Sequence, residues 1–338
     1  MFEGGLAELH THLGGSVASD ILWSLAHEQG IALPVKDYWA FDRLVSISDP
    51  RGVPSLDALD QIYHWTELIQ SSPLAVERSV HAAIGGAYRS QGITTLELRF
   101  NPMKRNRGGE RDLDHIILAA IRGLDRASIE YPQVRAALIL MMDRTFDARL
   151  NSIVVEKAIR WAPRGIVGVD IAGPRPGGGR YDYTQLAPMV DAARDAGLGI
   201  TIHVGEEGGE YGREEIGEVI ESLRPDRIGH GILAAGDPEL MRELREREIV
   251  LEICPTSNLL TKALPDEEAL RDTFRAFVEH DVPFTIATDG PEMMRTHLRD
   301  EFELLLRAGA LTEDEAREAN ERGHAAAFAE AKPVAARG

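Results

Sequence analysis

Cysteine is almost missing from this 338-residue chain, where Cys254 stands alone. One thiol permits no intrachain disulfide and no cluster of thiolates around a metal. It also excludes the zinc site built from His-x-Glu and Pro-Cys-x-x-Cys, so any metal must be held by nitrogen and oxygen. Positive charge is scarce as well: 37 Lys and Arg face 55 Asp and Glu, a formal net charge of −18. Affinity for nucleic acid comes largely from neutralising phosphates, so this balance opposes a polynucleotide and favours a small-molecule partner. No apolar run is long enough to span a membrane, and the first residues lack the basic and apolar regions of a signal peptide. The cytoplasm is the expected compartment. There is no low-complexity linker either, and residues 1–338 are expected to form one domain.

What the chain does have is alternation. Apolar, β-rich runs recur at Leu6–His10, Thr94–Phe100, Ala137–Met142, Ile166–Ala172, Leu198–His203, Asp226–Gly229, Ile249–Cys254 and Pro283–Thr288. Several are continuously apolar, as in parallel strands buried on both faces. Between them lie amphipathic stretches such as Ser79–Gln91, Leu113–Glu130, Tyr183–Ala196, Glu214–Leu223, Pro238–Arg247 and Glu267–His280. Strand and helix alternating about eight times imply an α/β fold, a single (β/α)8 barrel of TIM type. Residues 20–73 carry no barrel strand and are expected to be a helical insertion after strand 1, either a lid over the active face or a layer on the outer helices. Thr312–Ala331 reads as a last helix with Thr312 and Glu315 at capping-box spacing, followed by a frayed tail over 332–338.

Barrel enzymes carry their catalytic groups at the C-terminal ends of the strands. His10 and His12 fall there on strand 1, His203 on strand 5, His230 on strand 6 and Asp289 on strand 8. Side chains alternate across a strand, so His10 and His12 share a face. A lone strand-end histidine is ordinarily structural, whereas several in phase with one rim point to a metal. Imidazoles with a carboxylate suit a catalytic Zn2+ that keeps room for water. Gly229 and Gly231 flank His230 and let its backbone approach a ligand closely. The run Gly173–Gly179 lacks the lysine and hydroxyl of a triphosphate-binding loop, which rejects that reading.

These residues resemble the adenosine deaminase family, a branch of the amidohydrolase-type metal barrels. The matching pieces are Glu8-Leu-His-Thr-His-Leu13, Glu97-Leu-Arg-Phe-Asn-Pro102, Gly168-Val-Asp-Ile-Ala-Gly173, His203-Val-Gly-Glu206, Arg227-Ile-Gly-His-Gly231, Cys254-Pro-Thr-Ser-Asn258 and Thr288-Asp289. Their order and spacing over nearly the whole chain are more specific than any one of them. The resemblance implies one zinc per chain, held by His10, His12, His203 and Asp289. It implies that His230 orients and deprotonates the attacking water and that Glu206 protonates purine N1 as oxygen adds at C6 and ammonia leaves. Zinc brings the pKa of its water to about 7, and a Glu206 acting as an acid would need a pKa raised by burial. Otherwise Glu206 belongs to a solvated acidic loop with Glu207 and Glu210. Gly173 matches a glycine whose N–H contacts the purine, and Ser257 and Asn258 are expected to cap the next helix rather than brace the metal.

Two family carboxylates are missing. Leu13-Gly14-Gly15 replaces Leu-Asp-Gly, whose Asp meets the ribose 5′-hydroxyl, and Thr288-Asp289-Gly290-Pro291 replaces Thr-Asp-Asp-Pro, whose second Asp reaches N7. An unpaired buried hydroxyl costs about 1–3 kcal/mol, so plain adenosine is disfavoured and Gly14 is expected to leave room for a larger 5′ group. The loop Arg99–Arg107 is basic, and Arg175 and Arg180 lie in another loop of the same rim, so Arg99 and Arg175 are expected to receive an anionic substrate end. Within the family this favours 6-aminodeoxyfutalosine, an intermediate of menaquinone biosynthesis, with adenosine or adenine of purine salvage as the alternative. A metal-barrel hydrolase of amides or esters would want a lysine at the end of strand 4, and Ile166–Ala172 has none. A silent nucleoside-binding relative would have lost Glu206, His230 or a ligand. A monomer and a homodimer both fit.

Overall fold

Eight parallel strands wind in chain order into a barrel, each leading into helix on the outside. The computed structural model describes residues 4–49, 52–53, 56–175, 179–206 and 211–329. The order is β1 (Leu6–His12), α1 (Ser19–Glu28), α2 (Tyr38–Leu44), α3 (Leu56–Ile69), α4 (Pro73–Gly86), β2 (Ile93–Phe100), α5 (Leu113–Glu130), β3 (Arg135–Asp143), α6 (Ala148–Trp161), β4 (Ile166–Ala172) and α7 (Ala187–Asp195). Then come β5 (Gly199–Val204), α8 (Gly212–Leu223), β6 (Arg227–His230), α9 (Pro238–Glu246), β7 (Val250–Ile253), α10 (Pro255–Leu260), α11 (Glu267–Glu279), β8 (Phe284–Ile286), α12 (Pro291–Met294), α13 (Leu298–Arg307) and α14 (Glu313–Ala326). The expected (β/α)8 architecture is the observed one. Among the described residues, no helix is long and apolar enough to cross a membrane.

The alternation within β2 shows how sequence becomes layers. Leu96, Leu98 and Phe100 are buried in one apolar cluster with Val80 and Ile84 of α4 and Ile116 and Ile117 of α5, each such side chain contributing about 1.5–3 kcal/mol. Glu97 and Arg99, between them, pair with residues of β4, β6 and β7 across the barrel interior. Helix α5 starts where the Asp112 side chain accepts from Asp114 N–H, and it buries Ile116, Ala120, Leu124 and Ala127 at helical spacing.

Closure happens at the candidate ligands. Asp289 N–H donates to the His10 carbonyl (2.9 Å), and His12 N–H donates to the Asp289 carbonyl (2.7 Å). Glu8 spans the same seam, accepting from His10 N–H at 3.0 Å and from the Thr288 hydroxyl at 2.7 Å. Burial pushes its carboxyl up to about 8.

Two helices depart from expectation. Helix α4 begins at Pro73 behind a Ser72 cap, and the chain widens into a π-type turn over Ala87–Gln91 before Gly92 at φ 73°. Helix α14 has the Thr312–Glu315 capping box but stops at Ala326, short of Ala331. Its end is captured beneath the barrel: the Ala326 carbonyl accepts from Arg227 (2.9 Å), and Ala329 N–H donates to Glu97 (2.9 Å). The Phe328 ring lies 3.6 Å from the Arg227 guanidinium, in space that a side chain at Gly199 would fill. In the insertion, Leu59, Tyr63 and Glu67 of α3 stand one helical turn apart and line the cavity at the C-terminal end of the barrel, so α3 covers the active face. The expected fraying of 332–338, the acidic neighbours Glu207 and Glu210 and the middle of the glycine-rich run (176–178) lie outside the described residues.

Candidate active site

β1, β5 and the turn after β8 bring His10, His12, His203 and Asp289 to one end of the barrel. The ligand atoms of the three histidines lie within 4.8 Å of one another, as do those of Glu206, His230 and Asp289. His12 Nε2 stands 3.1 Å from His203 Nε2 and 3.3 Å from Asp289 Oδ1. Ligands of a tetrahedral zinc at 2.0–2.1 Å are about 3.3 Å apart, so the donor set fits that ion. His10 Nε2 is buried and has no hydrogen-bond partner among the described residues. Burial holds all three imidazoles well below the ordinary histidine range and therefore neutral, the form that ligates. Burial also pushes the Asp289 carboxyl up to about 6. Asp289 at φ 65° and His230 at φ 63° both hold the left-handed backbone that non-glycine residues avoid. Gly229 has no side chain because the His10 ring occupies its place: a Cβ there would come within 2.7 Å of His10 Cε1.

Beneath the histidines lies a layer of paired charges. His10 Nδ1 bonds to Glu252 at 2.7 Å, and His203 Nδ1 lies 2.9 and 3.0 Å from the two oxygens of Asp170. Each carboxylate thereby turns the other ring nitrogen toward the shared cluster of donor atoms. Arg99 joins them, donating to Asp170 (2.7 Å), Glu252 (2.8 Å) and the Leu9 carbonyl (2.5 Å). This overturns the expectation that Arg99 meets a substrate anion, because its guanidinium is fully buried and engaged below the ligands. Asp170 lay within the Gly168–Gly173 motif without an expected role, and Glu252 lay outside every motif. Their signal was an acid inside an apolar strand, which must be paired to be buried.

His230 and Glu206 stand 3.6 Å apart at the wall of the cavity. Burial keeps His230 below the ordinary range. The Asn258 amide lies 3.0 Å from His230 Nδ1, and the Ser257 hydroxyl donates to Asp289 Oδ2 at 2.7 Å. Both therefore brace the site and do not cap a helix. They sit inside α10, whose N-cap position is Cys254.

The rim differs from expectation at Gly14, Gly290 and Arg175. Gly14 lines the cavity, but the space beside it is taken: its Cβ would come within 2.9 Å of the Tyr63 ring and 3.3 Å of Arg105. Gly290 is buried behind the same tyrosine, whose hydroxyl lies 3.3 Å from where its Cβ would be. The Tyr63 hydroxyl is buried with no partner among the described residues, and burial with the nearby Asp289 keeps it protonated. Arg175 turns from the cavity to the fully buried Glu215 (2.5 Å). Gly173 lines the cavity at φ 94°, with its carbonyl bonded to Arg144 and a Cβ excluded by the Asp143 carboxylate. Tyr63 had no signal of its own in the sequence, and Arg105 was only one of the basic residues of Arg99–Arg107, since only the fold puts α3 and the loop after β2 against Gly14.

The adenosine deaminase family model matches residues 5–336. An adenosine deaminase of Pectobacterium atrosepticum is 31% identical over 96% of this chain and 92% of its own length. The crystal structure of an N6-mAMP deaminase from arabidopsis superposes with a TM-score of 0.79 at 26% identity, covering 96% of this chain and 94% of that one. A zinc-bound amidohydrolase from Burkhoderia ambifaria shares the fold, with a TM-score of 0.81 at 21% identity over 96% of this chain and 86% of that one. The chain belongs to the adenosine deaminase family, and its activity is that of a hydrolase acting on the C–N bond of a cyclic amidine.

Proposed function

We propose that this protein uses one Zn2+, held by His10, His12, His203 and Asp289, to replace the 6-amino group of a purine nucleoside with oxygen. The observation that carries this reading is the meeting of that donor set with Glu206 and His230 in one cavity. Bound zinc supplies Lewis acidity that brings the attacking water to a pKa of about 7. His230 accepts the water's proton, and Asp289 takes a hydrogen bond from the same water and aims it at C6. Glu206 protonates N1, which receives the electron pair of the C6–N1 double bond as oxygen bonds to C6. Proton transfer to N6 then lets ammonia leave, and the 6-oxo purine forms.

The name of the Pectobacterium relative supports adenosine as the substrate. A second reading, 6-aminodeoxyfutalosine of menaquinone biosynthesis, is supported by Gly14, where no acid is available to accept from a free 5′-hydroxyl. Both are small cytoplasmic metabolites in this reading. Purified enzyme is expected to hold close to one zinc per chain, and metal analysis showing none after gentle preparation would overturn the mechanism. Glu206→Gln should keep that zinc and lose about 10²–10⁴ in kcat; unchanged turnover removes Glu206 from its role. The ultraviolet change on deamination, followed for adenosine and 5′-substituted adenosines, separates the two substrates.

A further inference from the structure

We propose that Arg105 is the receptor for an anionic group, a phosphate or a carboxylate, at the 5′ end of the substrate. This rests on the deaminase reading of the cavity and narrows its substrate class. Arg105 follows β2 in a short turn, is 1% exposed and lines the same cavity as Glu206 and the histidines. Its Nε and Nη1 are buried with no hydrogen-bond partner among the described residues. A guanidinium cannot shed its charge, so a buried one with idle donors is costly unless something binds there. Glu67 of α3 favours the charge electrostatically, and Lys104 next to it is tied to Asp143 at 2.7 Å.

Topology places Arg105 where a 5′ group must go. Glu206 and His230 follow β5 and β6, while Gly14 and Arg105 follow β1 and β2, across an eight-stranded barrel. With purine C6 at the metal and N1 toward Glu206, the five-membered ring with N9 and its sugar points away from β5 and β6. That direction is the wall made by Gly14, Tyr63 and Arg105. Arg105 Nη2 lies 3.3 Å from where a Cβ on residue 14 would be, so an acid at position 14 would pair with this arginine, a partner that glycine does not supply. A planar fork of N–H donors matches the oxygens of a phosphate or carboxylate, and an uncharged 5′-hydroxyl satisfies only part of it.

The test compares kcat/KM for adenosine, adenosine 5′-monophosphate and adenosine 5′-carboxylate in wild type, Arg105→Met and Arg105→Lys. Wild type should prefer one of the anionic substrates by about 10–100-fold, the worth of a charged hydrogen bond. Whichever is preferred separates phosphate from carboxylate. Arg105→Met should erase most of that preference through KM, and Arg105→Lys should keep part of it. An equal preference in wild type and Arg105→Met, or none in wild type, overturns the assignment. Calorimetry of inosine against inosine 5′-monophosphate and inosine 5′-carboxylate keeps the test independent of turnover and of the variants' folding. Tighter binding of either anion by wild type supports the receptor even if no substrate is deaminated, the result that would sink the deaminase reading instead. Equal binding of all three, or of none, counts against Arg105.

Discussion

Arg99 and Arg105 stand on one strand and its following loop, both fully enclosed, yet their guanidinium groups meet opposite surroundings. Arg99, under the histidines, lacks a partner among the described residues only at Nε and otherwise binds two carboxylates and a carbonyl. Arg105, at the wall facing α3, has idle donors at Nε and Nη1. The floor of the site thus has its charges paired before any ligand arrives. Its charges are neutralised by Asp170 and Glu252, which in turn fix His203 and His10, and the network continues through Arg227 and Glu97 to the captured Ala326–Ala329 segment. The wall is unfinished, with Tyr63 and Arg105 both carrying buried polar atoms that no described residue satisfies. A saturated network holds catalytic groups still, and an unsaturated one is where affinity for a substrate is gained.

Breaking the floor should have the largest effect. Arg99→Met leaves Asp170 and Glu252 buried without their shared cation, and it should lower stability in a denaturant titration by about 3–5 kcal/mol. Milder cuts sharpen the same point: Asp170→Asn or Glu252→Gln should keep the fold but weaken zinc binding about 10–100-fold in a chelator competition. At the wall the sign reverses. Arg105→Met removes a buried charge with two idle donors, so the ligand-free protein should be unchanged or more stable by about 1 kcal/mol. If Arg105→Met costs as much as Arg99→Met, the two arginines are equivalent and the contrast is lost. The smallest effect belongs to Tyr63→Phe, expected to leave stability intact and to reduce kcat/KM by no more than about tenfold, one neutral hydrogen bond to substrate.

The floor was half legible in the sequence. His10, His12, His203, His230 and Asp289 declare themselves by ending apolar strands, because strand alternation and barrel geometry convert chain position directly into place on the rim. Their supports did not. Ser257 and Asn258 looked like caps because local propensity favours that, and only the packing of α10 against Asp289 and His230 shows otherwise. Arg99 sat in a basic stretch that looked like a surface loop, but strand parity turns it inward while the loop beyond it goes to the wall. Gly14 was legible as a missing acid and illegible as a filled space, since its neighbour Tyr63 comes from an insertion whose docking no local pattern encodes.

By itself the sequence determined the (β/α)8 barrel and the identity of the clustered rim histidines and Asp289. Both follow from periodicities of a few residues, and a strand's register allows each side chain only two directions. The tertiary structure alone decided which charges are spent and which are idle. A guanidinium's role depends on whether carboxylates distant in the chain reach it, and burial makes that difference too costly for the fold to leave to chance. Arg99 is reached from β4 and β7, and Arg105 is left for a ligand.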